Sequence, residues 1–315
     1  MKLKSKLLGL AAIAAMTMGF ASFSTPAQAT VQTCTQWPTV PLTSYPRDGH
    51  LFQCFPSPRN SNEQALQSQM MNSVSSAVAQ LSPDELTKLK NANVQIKVFY
   101  NGTDATQTLG ENSSFPPKPT ETGRSWVIPN ANTANLSIAT SSVWMFTLNQ
   151  FNALNGAIPT TFNSVQSGGT AHHELGHQMD RIWATQNALA PTASALVTGN
   201  TTPGFGQAFI SALNFDGARL TSTDIQTLTN QFPSYLDLTQ NPPLLRRNEF
   251  IAELFAVNVG GGATGQTGPL DTFIARSGKF PCAAWVVAQM HTNNGTMPAV
   301  PDTRTPGSCY GKTSW

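Results

Sequence analysis

The chain has few charged residues and no long apolar run beyond its first thirty positions. Charged side chains make up only 11% of the 315 residues, and the formal net charge is +2. A balance this close to neutrality disfavours binding that depends on bulk charge, so we expect no nucleic-acid partner. Because no later segment approaches the roughly 20 apolar residues of a transmembrane helix, we also expect no membrane span.

The first thirty residues have the pattern of a secretory signal peptide. A basic head precedes an uncharged, largely apolar run over residues 7–20, and small residues then favour cleavage after Ala29. Removing residues 1–29 takes away three of the eighteen basic residues and none of the sixteen acidic ones, which leaves a net charge of about −1. We therefore expect a secreted protein, either extracellular or periplasmic.

Cysteine is scarce, with four residues in the chain. None of them shows the close pair spacing of a cysteine-ligated metal site, and an even number in an exported chain favours disulfides. Four cysteines allow three connectivities. We favour the local one, because each bridge would then fasten one end of the chain: Cys34 with Cys54, and Cys282 with Cys309.

Histidine is equally scarce, yet three of the five histidines fall within six residues, at His172, His173 and His177. The last two belong to the sequence HELGH. In a helix, His173 and His177 lie about 40° apart on one face, and Glu174 projects beside them. This spacing suits two nitrogen ligands to a single Zn²⁺, with a carboxylate next to the metal-bound water. It predicts one catalytic zinc ion per chain, with Glu174 as the general base.

The patterns around this motif predict an α+β fold in which a small, mostly antiparallel N-terminal sheet precedes a mainly helical part. We treat residues 30–315 as one catalytic domain, with a sheet-containing lobe over 30–160 and a helical lobe over 161–315 that carries the zinc site. The last strand before the HELGH helix would form an edge on which an extended peptide pairs. The predicted elements are an irregular segment over 30–60, helices over 62–81 and from 82, and strands over 94–100, 136–140 and 142–148.

The HELGH helix is predicted to have two distinct faces. Thr170 would cap it, and the helix would run to about Thr185. On the histidine face, Asp180 lies one turn beyond His177. There it would accept a ring N–H hydrogen bond or support the site, unless it is simply a solvent-exposed acid. The opposite side is an apolar packing stripe formed by Leu175, Met179, Ile182 and Trp183.

A catalytic zinc needs a third protein ligand, and the remaining histidines do not supply it. A histidine six positions after the second motif histidine would indicate a metzincin, but that residue is Trp183. His50 and His291 have no ligand-like neighbours, so we interpret both as structural or surface residues. The metzincin pattern is therefore excluded, and the ligand must be a different residue type.

The candidate for the third ligand is one of two glutamates, Glu249 and Glu253, which lie four residues apart on one face of a predicted helix. Ala252 and Ala256 fall beside them, and such small side chains would let this helix approach the HELGH helix closely. The spacing of the two glutamates is by itself a weak signal. It becomes stronger when it follows an HExxH motif.

The combination of HELGHxxD with a later EFxAExF resembles the zinc peptidases of the anthrax lethal factor-like group within the gluzincins. The resemblance implies a zincin-like fold and a metalloendopeptidase that hydrolyses protein or peptide substrates. It also implies that His173, His177 and Glu249 are the zinc ligands and that Glu174 is the base. Glu253 then matches a carboxylate that orients a ligand histidine.

Two departures from that group concern the region before Glu249. The interval between His177 and Glu249 is 72 residues, longer than is usual in the group, which implies an inserted helical segment around 203–231. The group also has a tyrosine seven residues before its glutamate ligand, where this chain has Pro242. Tyr235 is the nearest tyrosine and the candidate to stabilise the oxyanion, with Arg247 as the alternative electrophile.

Two other interpretations remain open from the sequence. An aspzincin-type peptidase would take Asp216, Asp224 or Asp237 as its third ligand, although none of them lies in the expected Gly-Thr-x-x-Asp pattern. A non-catalytic exported binding protein would use the metal structurally. Structural zinc, however, usually has four protein ligands and favours cysteine, and the cysteines here are better assigned to disulfides. We expect a monomer in each case.

Overall fold

The computed structural model combines α-helices with small β-sheets, and helix predominates. It describes residues 39–41, 52–54, 57–92, 94–103, 119, 121–127, 141–153, 156, 167–186, 205–239, 243–259, 273–274, 278–293 and 295. None of the helices within these ranges has the length and apolar character needed to cross a bilayer. The expected combination of a small sheet with a mainly helical part is confirmed at this level.

The main sheet has five strands in the order β1-β2-β3-β5-β4. They are β1 (Thr39–Pro41), β2 (Phe52–Cys54), β3 (Val94–Phe99), β4 (Gly123–Val127) and β5 (Ser141–Phe146). β1 and β2 are antiparallel, as are β4 and β5, whereas β3 is parallel to both β2 and β5. The prediction of a mostly antiparallel sheet is therefore wrong. The long connection over 55–93 lets the chain return to the same end of the sheet between β2 and β3. In the chain, β4 comes between the parallel strands β3 and β5 and runs opposite to β5.

The position of β4 determines which backbone groups are open beside the HELGH helix. β5 is hydrogen-bonded on both sides, to β3 and to β4, so the last strand before the helix is internal. The prediction that this strand forms the edge is thus wrong. Among the described strands, β4 lies outside β5 and is the last strand on that side of the sheet, with Ser125 opposite Val143.

Eight helices lie in the described part of the chain. They are α1 (Ser61–Val78), α2 (Pro83–Asn91), α3 (Thr147–Ala153), α4 (Ser167–Gln186), α5 (Phe205–Gly217), α6 (Ser222–Gln231), α7 (Arg247–Val259) and α8 (Pro281–Thr292). The predicted helices after position 62 and after position 82 are confirmed, and so is the helical character of the segment before Glu249, which contains α5 and α6. A 3-10 turn, Pro233–Tyr235, and a two-stranded ribbon of β6 (Leu236–Asp237) and β7 (Leu244–Leu245) link α6 to α7.

Side-chain capping explains where two of the helices begin. Ser82 accepts a hydrogen bond from the backbone N–H of Glu85, whose side chain accepts one from the N–H of Ser82. Thr221 and Asp224 form the same reciprocal arrangement at the start of α6. Each pair satisfies backbone donors that the first turn of a helix leaves without partners.

Several sequence predictions fall outside the described residues. These are the signal segment, His50, Cys34, Cys309 and the strand candidate over 136–140, so the two disulfides stay predictions. The segment over 30–60, which was expected to be irregular, contains the antiparallel strands β1 and β2. Cys54 is the last residue of β2, and Cys282 is buried near the start of α8.

α4 contacts both the sheet and several of the other helices. It makes its most extensive contact with α7 and also packs against α1, α2, β4 and β5. The apolar stripe predicted for this helix is confirmed, because Leu175, Met179 and Trp183 are buried in the core. The opposite face of α4 is therefore turned toward the polar residues of the candidate site.

Candidate metal centre

The HELGH helix starts earlier than its sequence predicts. α4 begins at Ser167, so Thr170 lies inside the helix and the prediction that it is the N-cap is wrong. The methyl group of Thr170 lies beside Gly123, where a Cβ would come within 2.8 Å of it. The side chain of Thr170 therefore packs on β4 and does not have the capping role that the sequence pattern indicated.

α4 and α7 come into backbone contact beside the motif. A Cβ on Gly176 would lie 2.8 Å from both the Cα and the carbonyl oxygen of Ala252. Only glycine at position 176 permits this approach without a shift of one helix. The expected close approach through small residues is therefore confirmed, and it brings the carboxylates of α7 within reach of the histidines.

Three side chains converge between these helices with the spacing of metal ligands. Nε2 of His173 lies 3.4 Å from Oε2 of Glu249, and Nε2 of His177 lies 3.8 Å from the same oxygen. One ligand atom from each of the three residues lies within 4.8 Å of the others. Donors bound tetrahedrally at zinc distances are about 3.4 Å apart. The three donors could therefore hold a metal ion with only small adjustments.

A second set of contacts lies on the opposite side of the His173 ring. Nδ1 of His173 is 2.9 Å from Oε2 of Glu253. The hydroxyl group of Tyr235 donates to the same oxygen at 3.0 Å and lies 3.5 Å from Nδ1. Because a carboxylate accepts only, Nδ1 is the donor to Glu253, and Nε2 is the nitrogen that faces Glu249.

The electrostatics of this cluster favour a cation between the helices. Burial lowers the pKa of His173, but its hydrogen bonds to Glu249 and Glu253 outweigh that effect and raise the pKa well above its usual value. Burial opposes ionisation of Glu249, yet its hydrogen bond with His173 holds the pKa at about 2. Burial and the charge of His173 lower the pKa of His177 to about 4. The site thus combines the carboxylate of Glu249, a neutral imidazole at His177 and, at His173, an imidazole whose surroundings attract positive charge.

Glu174 lies on the β4 side of the same helix, and its carboxylate is buried. A Cβ on Gly123 would lie 3.1 Å from Cγ of Glu174, and the backbone N–H of Ser125 donates to the carboxylate. Burial raises the pKa of Glu174 to about 7, although the charge of His173 acts in the opposite direction. A carboxyl group with a pKa near neutrality can both accept and release a proton.

Gln178 anchors β4 to α4, and sequence reasoning missed it. Its amide nitrogen donates to Oγ of Ser125 at 2.5 Å and lies 3.4 Å from the carbonyl oxygen of Ser142. Gln178 follows Glu174 by four residues, so the helical period was a usable signal. Gly123 was missed because β4 itself was not predicted, although a glycine inside a strand often marks a close approach.

Asp180 and Arg247 are placed differently from their predicted roles. Asp180 is fully buried, so it is not a solvent-exposed acid. Neither of its oxygens has a hydrogen-bond partner in the described part of the chain, and burial raises its pKa well above the usual value. The predicted bond from a ligand histidine is not formed. Nη2 of Arg247 donates to Oδ1 of Asn214 at 3.1 Å, and this hydrogen bond directs the guanidinium group of Arg247 toward α5.

The aspartates of the alternative ligand set each bind a different part of the molecule. Asp216 accepts the backbone N–H of Ala283 at the start of α8. Asp224 caps α6 and forms an ion pair with Lys279 at 3.0 Å. Asp237 accepts a hydrogen bond from the hydroxyl of Thr239. All three thus have local structural partners, whereas Glu249 lies at the histidine pair.

The two other described histidines lie outside the ligand cluster. Nε2 of His172 is 2.6 Å from the carbonyl oxygen of Ala77 on α1. Nδ1 of His291 is 2.6 Å from Oε1 of Glu85, which joins α8 to α2. The interpretation of His291 as a structural residue agrees with this contact.

In comparisons with known proteins, no family model and no curated protein matches this chain. The resemblance to the gluzincins therefore rests on the motif residues alone.

Proposed function

We propose that this protein is a secreted zinc-dependent metalloendopeptidase with a zincin-like fold. The observation that carries the proposal is the convergence of His173, His177 and Glu249 at ligand spacing, with the buried Glu174 beside them. We propose further that cleavage after Ala29 releases the mature chain and that it acts as a monomer on proteins or peptides.

Zinc is the metal that this set of donors fits best. Two imidazole nitrogens and one carboxylate oxygen are the ligands of many catalytic zinc sites, which keep a fourth position open for water. A structural zinc site usually has four protein ligands. Among the described residues, one cluster of three donors meets the distance requirement. A three-donor set supports a catalytic role over a structural one.

When bound, zinc would acidify a water molecule and polarise the scissile carbonyl group. Glu174 would accept the proton of the attacking water and then deliver it to the leaving amine. The hydrogen bond from the N–H of Ser125 and the contact with Gly123 hold the carboxylate of Glu174 at a fixed position on α4. The protein thus supplies an oriented base beside the three ligand atoms.

The substrate would bind along β4, which lies against α4 and is the outermost of the described strands on that side of the sheet. An extended peptide can add to such an edge through backbone hydrogen bonds, and this mode is largely independent of side-chain identity. The sequence led us to expect this mode of binding at β5, the strand next to β4 in the sheet. Since β5 is paired on both sides, β4 is the strand that we propose for substrate binding.

The test is the pair of variants Glu174→Gln and His291→Gln, assayed on casein with zinc content measured in parallel. We expect the wild type to cleave casein, to stop when a chelator is added and to recover when zinc is returned. Glu174→Gln should keep its zinc and lose most of its turnover, because the amide cannot accept the proton. His291→Gln should keep both zinc and turnover, since this histidine is hydrogen-bonded to Glu85 on α2 and is not part of the ligand cluster.

Two results would contradict the proposal. If Glu174→Gln cleaves casein at the wild-type rate, Glu174 is not the general base. Stoichiometric zinc in a wild type that cleaves neither casein nor gelatin would instead indicate an exported binding protein with a structural metal.

A further inference from the structure

Tyr235 is held in a fixed position next to the ligand cluster. Its ring is buried and packs edge-on against Phe250, with 5.5 Å between the ring centroids. Its backbone N–H donates to the carbonyl oxygen of Phe232, and its own carbonyl oxygen accepts the N–H of Arg246 at 2.7 Å. Turning this ring toward a bound substrate would expose its apolar surface and break its packing against Phe250, and the two backbone hydrogen bonds oppose a shift of the turn itself. The side chain therefore acts from the place where the structure has it.

From that place, the hydroxyl of Tyr235 contacts the outer side of a ligand histidine. It donates to Oε2 of Glu253 at 3.0 Å, and the same oxygen accepts Nδ1 of His173 at 2.9 Å. The metal-binding nitrogen of His173 is Nε2, which points the other way, toward Glu249. The hydroxyl therefore lies on the side of the imidazole away from the ligand atoms, where an oxyanion would not form.

We propose that Tyr235 is a positioning residue that acts through Glu253 to orient His173 for metal binding. This inference rests on the metal site of the proposed function, and it replaces the oxyanion role that the sequence led us to expect for this tyrosine. Tyr235 fixes one oxygen of Glu253, and Glu253 holds Nδ1–H of His173, so the Nε2 lone pair is directed into the site. Outer partners of this kind fix the tautomer and the ring orientation of a ligand histidine.

The contacts also explain why a hydroxyl group is needed at this position. A carboxylate oxygen that accepts from only one nitrogen can rotate about the Cγ–Cδ bond, whereas two donors from different directions restrict it. Glu253 lies on α7, His173 on α4, and Tyr235 on the turn that precedes β6. The hydroxyl thus ties the turn to both ligand-bearing helices.

The experiment compares zinc affinity with turnover in Tyr235→Phe, by competition with a chelating dye and by casein cleavage at saturating zinc. Phenylalanine keeps the packing against Phe250 and removes only the hydroxyl. We expect zinc affinity to fall about 10- to 100-fold, the usual effect of losing an outer partner. The kcat at saturating zinc should stay within a few fold of the wild type. Tyr100→Phe is the matched control, because that ring is stacked under Arg59, and its zinc affinity should not change.

A double-mutant cycle tests whether the tyrosine acts through the glutamate. Glu253→Ala, which removes the oxygen that accepts from both groups, should weaken zinc binding at least as much as Tyr235→Phe, and the double variant should be no weaker than Glu253→Ala alone. Additive losses would show that the hydroxyl acts independently and would overturn the proposal.

Turnover separates the proposed role from that of an oxyanion donor. A kcat loss of more than about 100-fold at saturating zinc is the effect of removing such a donor, and it would overturn the positioning role. Unchanged zinc affinity would overturn it as well. Because zinc affinity is measured without substrate, this test remains valid if the wild type proves to have no peptidase activity. Failure of the proposed function and failure of this inference are therefore distinguishable.

Discussion

The two sides of α4 use glycine in different ways. Toward α7, Gly176 lies against backbone, the Cα and carbonyl oxygen of Ala252. Toward β4, Gly123 lies against side chains, those of Thr170 and Glu174. A backbone can give way only if a whole helix moves, whereas a side chain can turn. The contact with α7 therefore tolerates an added side chain less well than the contact with β4 does.

This difference separates metal binding from the placement of the base. The contact with α7 brings Glu249 to the two histidines, so it determines whether a metal can bind. The contact with β4 positions the carboxylate of Glu174, so it determines whether a bound metal would be used. We expect changes at the α7 contact to affect metal content and stability together, and changes at the β4 contact to affect turnover alone.

The largest effect is expected from Glu249→Ala, which removes the proposed ligand that α7 contributes. Loss of a residue that only hydrogen-bonds to a metal ligand lowers metal affinity by up to about 100-fold. Loss of Glu249 itself should lower zinc affinity by more than that. Zinc content of the purified variant, measured by elemental analysis, would check this. Asp216→Asn, Asp224→Asn and Asp237→Asn should all keep the metal, because each aspartate has a structural partner elsewhere. Loss of zinc in one of these three, with retention in Glu249→Ala, would identify that aspartate as the third ligand.

The next largest effect is expected from Gly176→Ala. The added methyl group would overlap the backbone of Ala252, and we expect the free energy of unfolding to fall by about 1 to 3 kcal/mol, together with weaker zinc binding. Gly169→Ala is the matched control on the same helix, since a Cβ there meets no described atom within 4 Å. This control should gain up to about 1 kcal/mol from its higher helix propensity. Urea unfolding of both variants is the measurement, and equal effects would show that the α7 contact is not tight.

A smaller and more selective effect is expected from Gly123→Ala. The methyl group would press on Thr170 and Glu174, and a displaced base should reduce kcat by about 10- to 100-fold, with zinc affinity unchanged. Adding Thr170→Ser, which removes the atom at 2.8 Å, should recover part of the turnover. Steady-state kinetics at saturating zinc would check both variants. A loss of zinc in Gly123→Ala would show that the two sides of α4 are not separable.

The smallest effect is expected at His291, which lies outside both contacts and contributes a pH-dependent term. Its hydrogen bond to Glu85 raises its pKa, although burial opposes this. The stabilisation is therefore fully present below the unfolded histidine pKa of about 6.5 and is lost as pH rises through the raised folded value. In acidic buffer, we expect the free energy of unfolding of the wild type to exceed that of His291→Gln by about 1 kcal/mol or less. This difference should shrink in alkaline buffer. Urea unfolding of the metal-free proteins would show it, and a difference that does not change with pH would contradict it.

The sequence predicted best where a local period or cap decides the structure. The helix after position 62, the capping box at Ser82 and the strand from Val94 follow from residues close together in the chain. The prediction failed at β4, a five-residue strand whose glycine and polar residues carry little signal of their own. It also failed for the sheet type, because strand direction depends on long connections and not on the strands themselves.

Within the site, the HELGH motif by itself determined that two histidines and a glutamate share one helical face, because a helix repeats every 3.6 residues whatever surrounds it. The resemblance of the motifs led us to expect Glu249 and Glu253 beside those histidines, and the tertiary structure brings them there. Only the tertiary structure decided that β4 holds Glu174 and that Tyr235 reaches His173 through Glu253. These partners come from segments up to 80 residues apart. Their distances are fixed by how closely helices and strands pack, and a pattern within one segment does not encode that closeness.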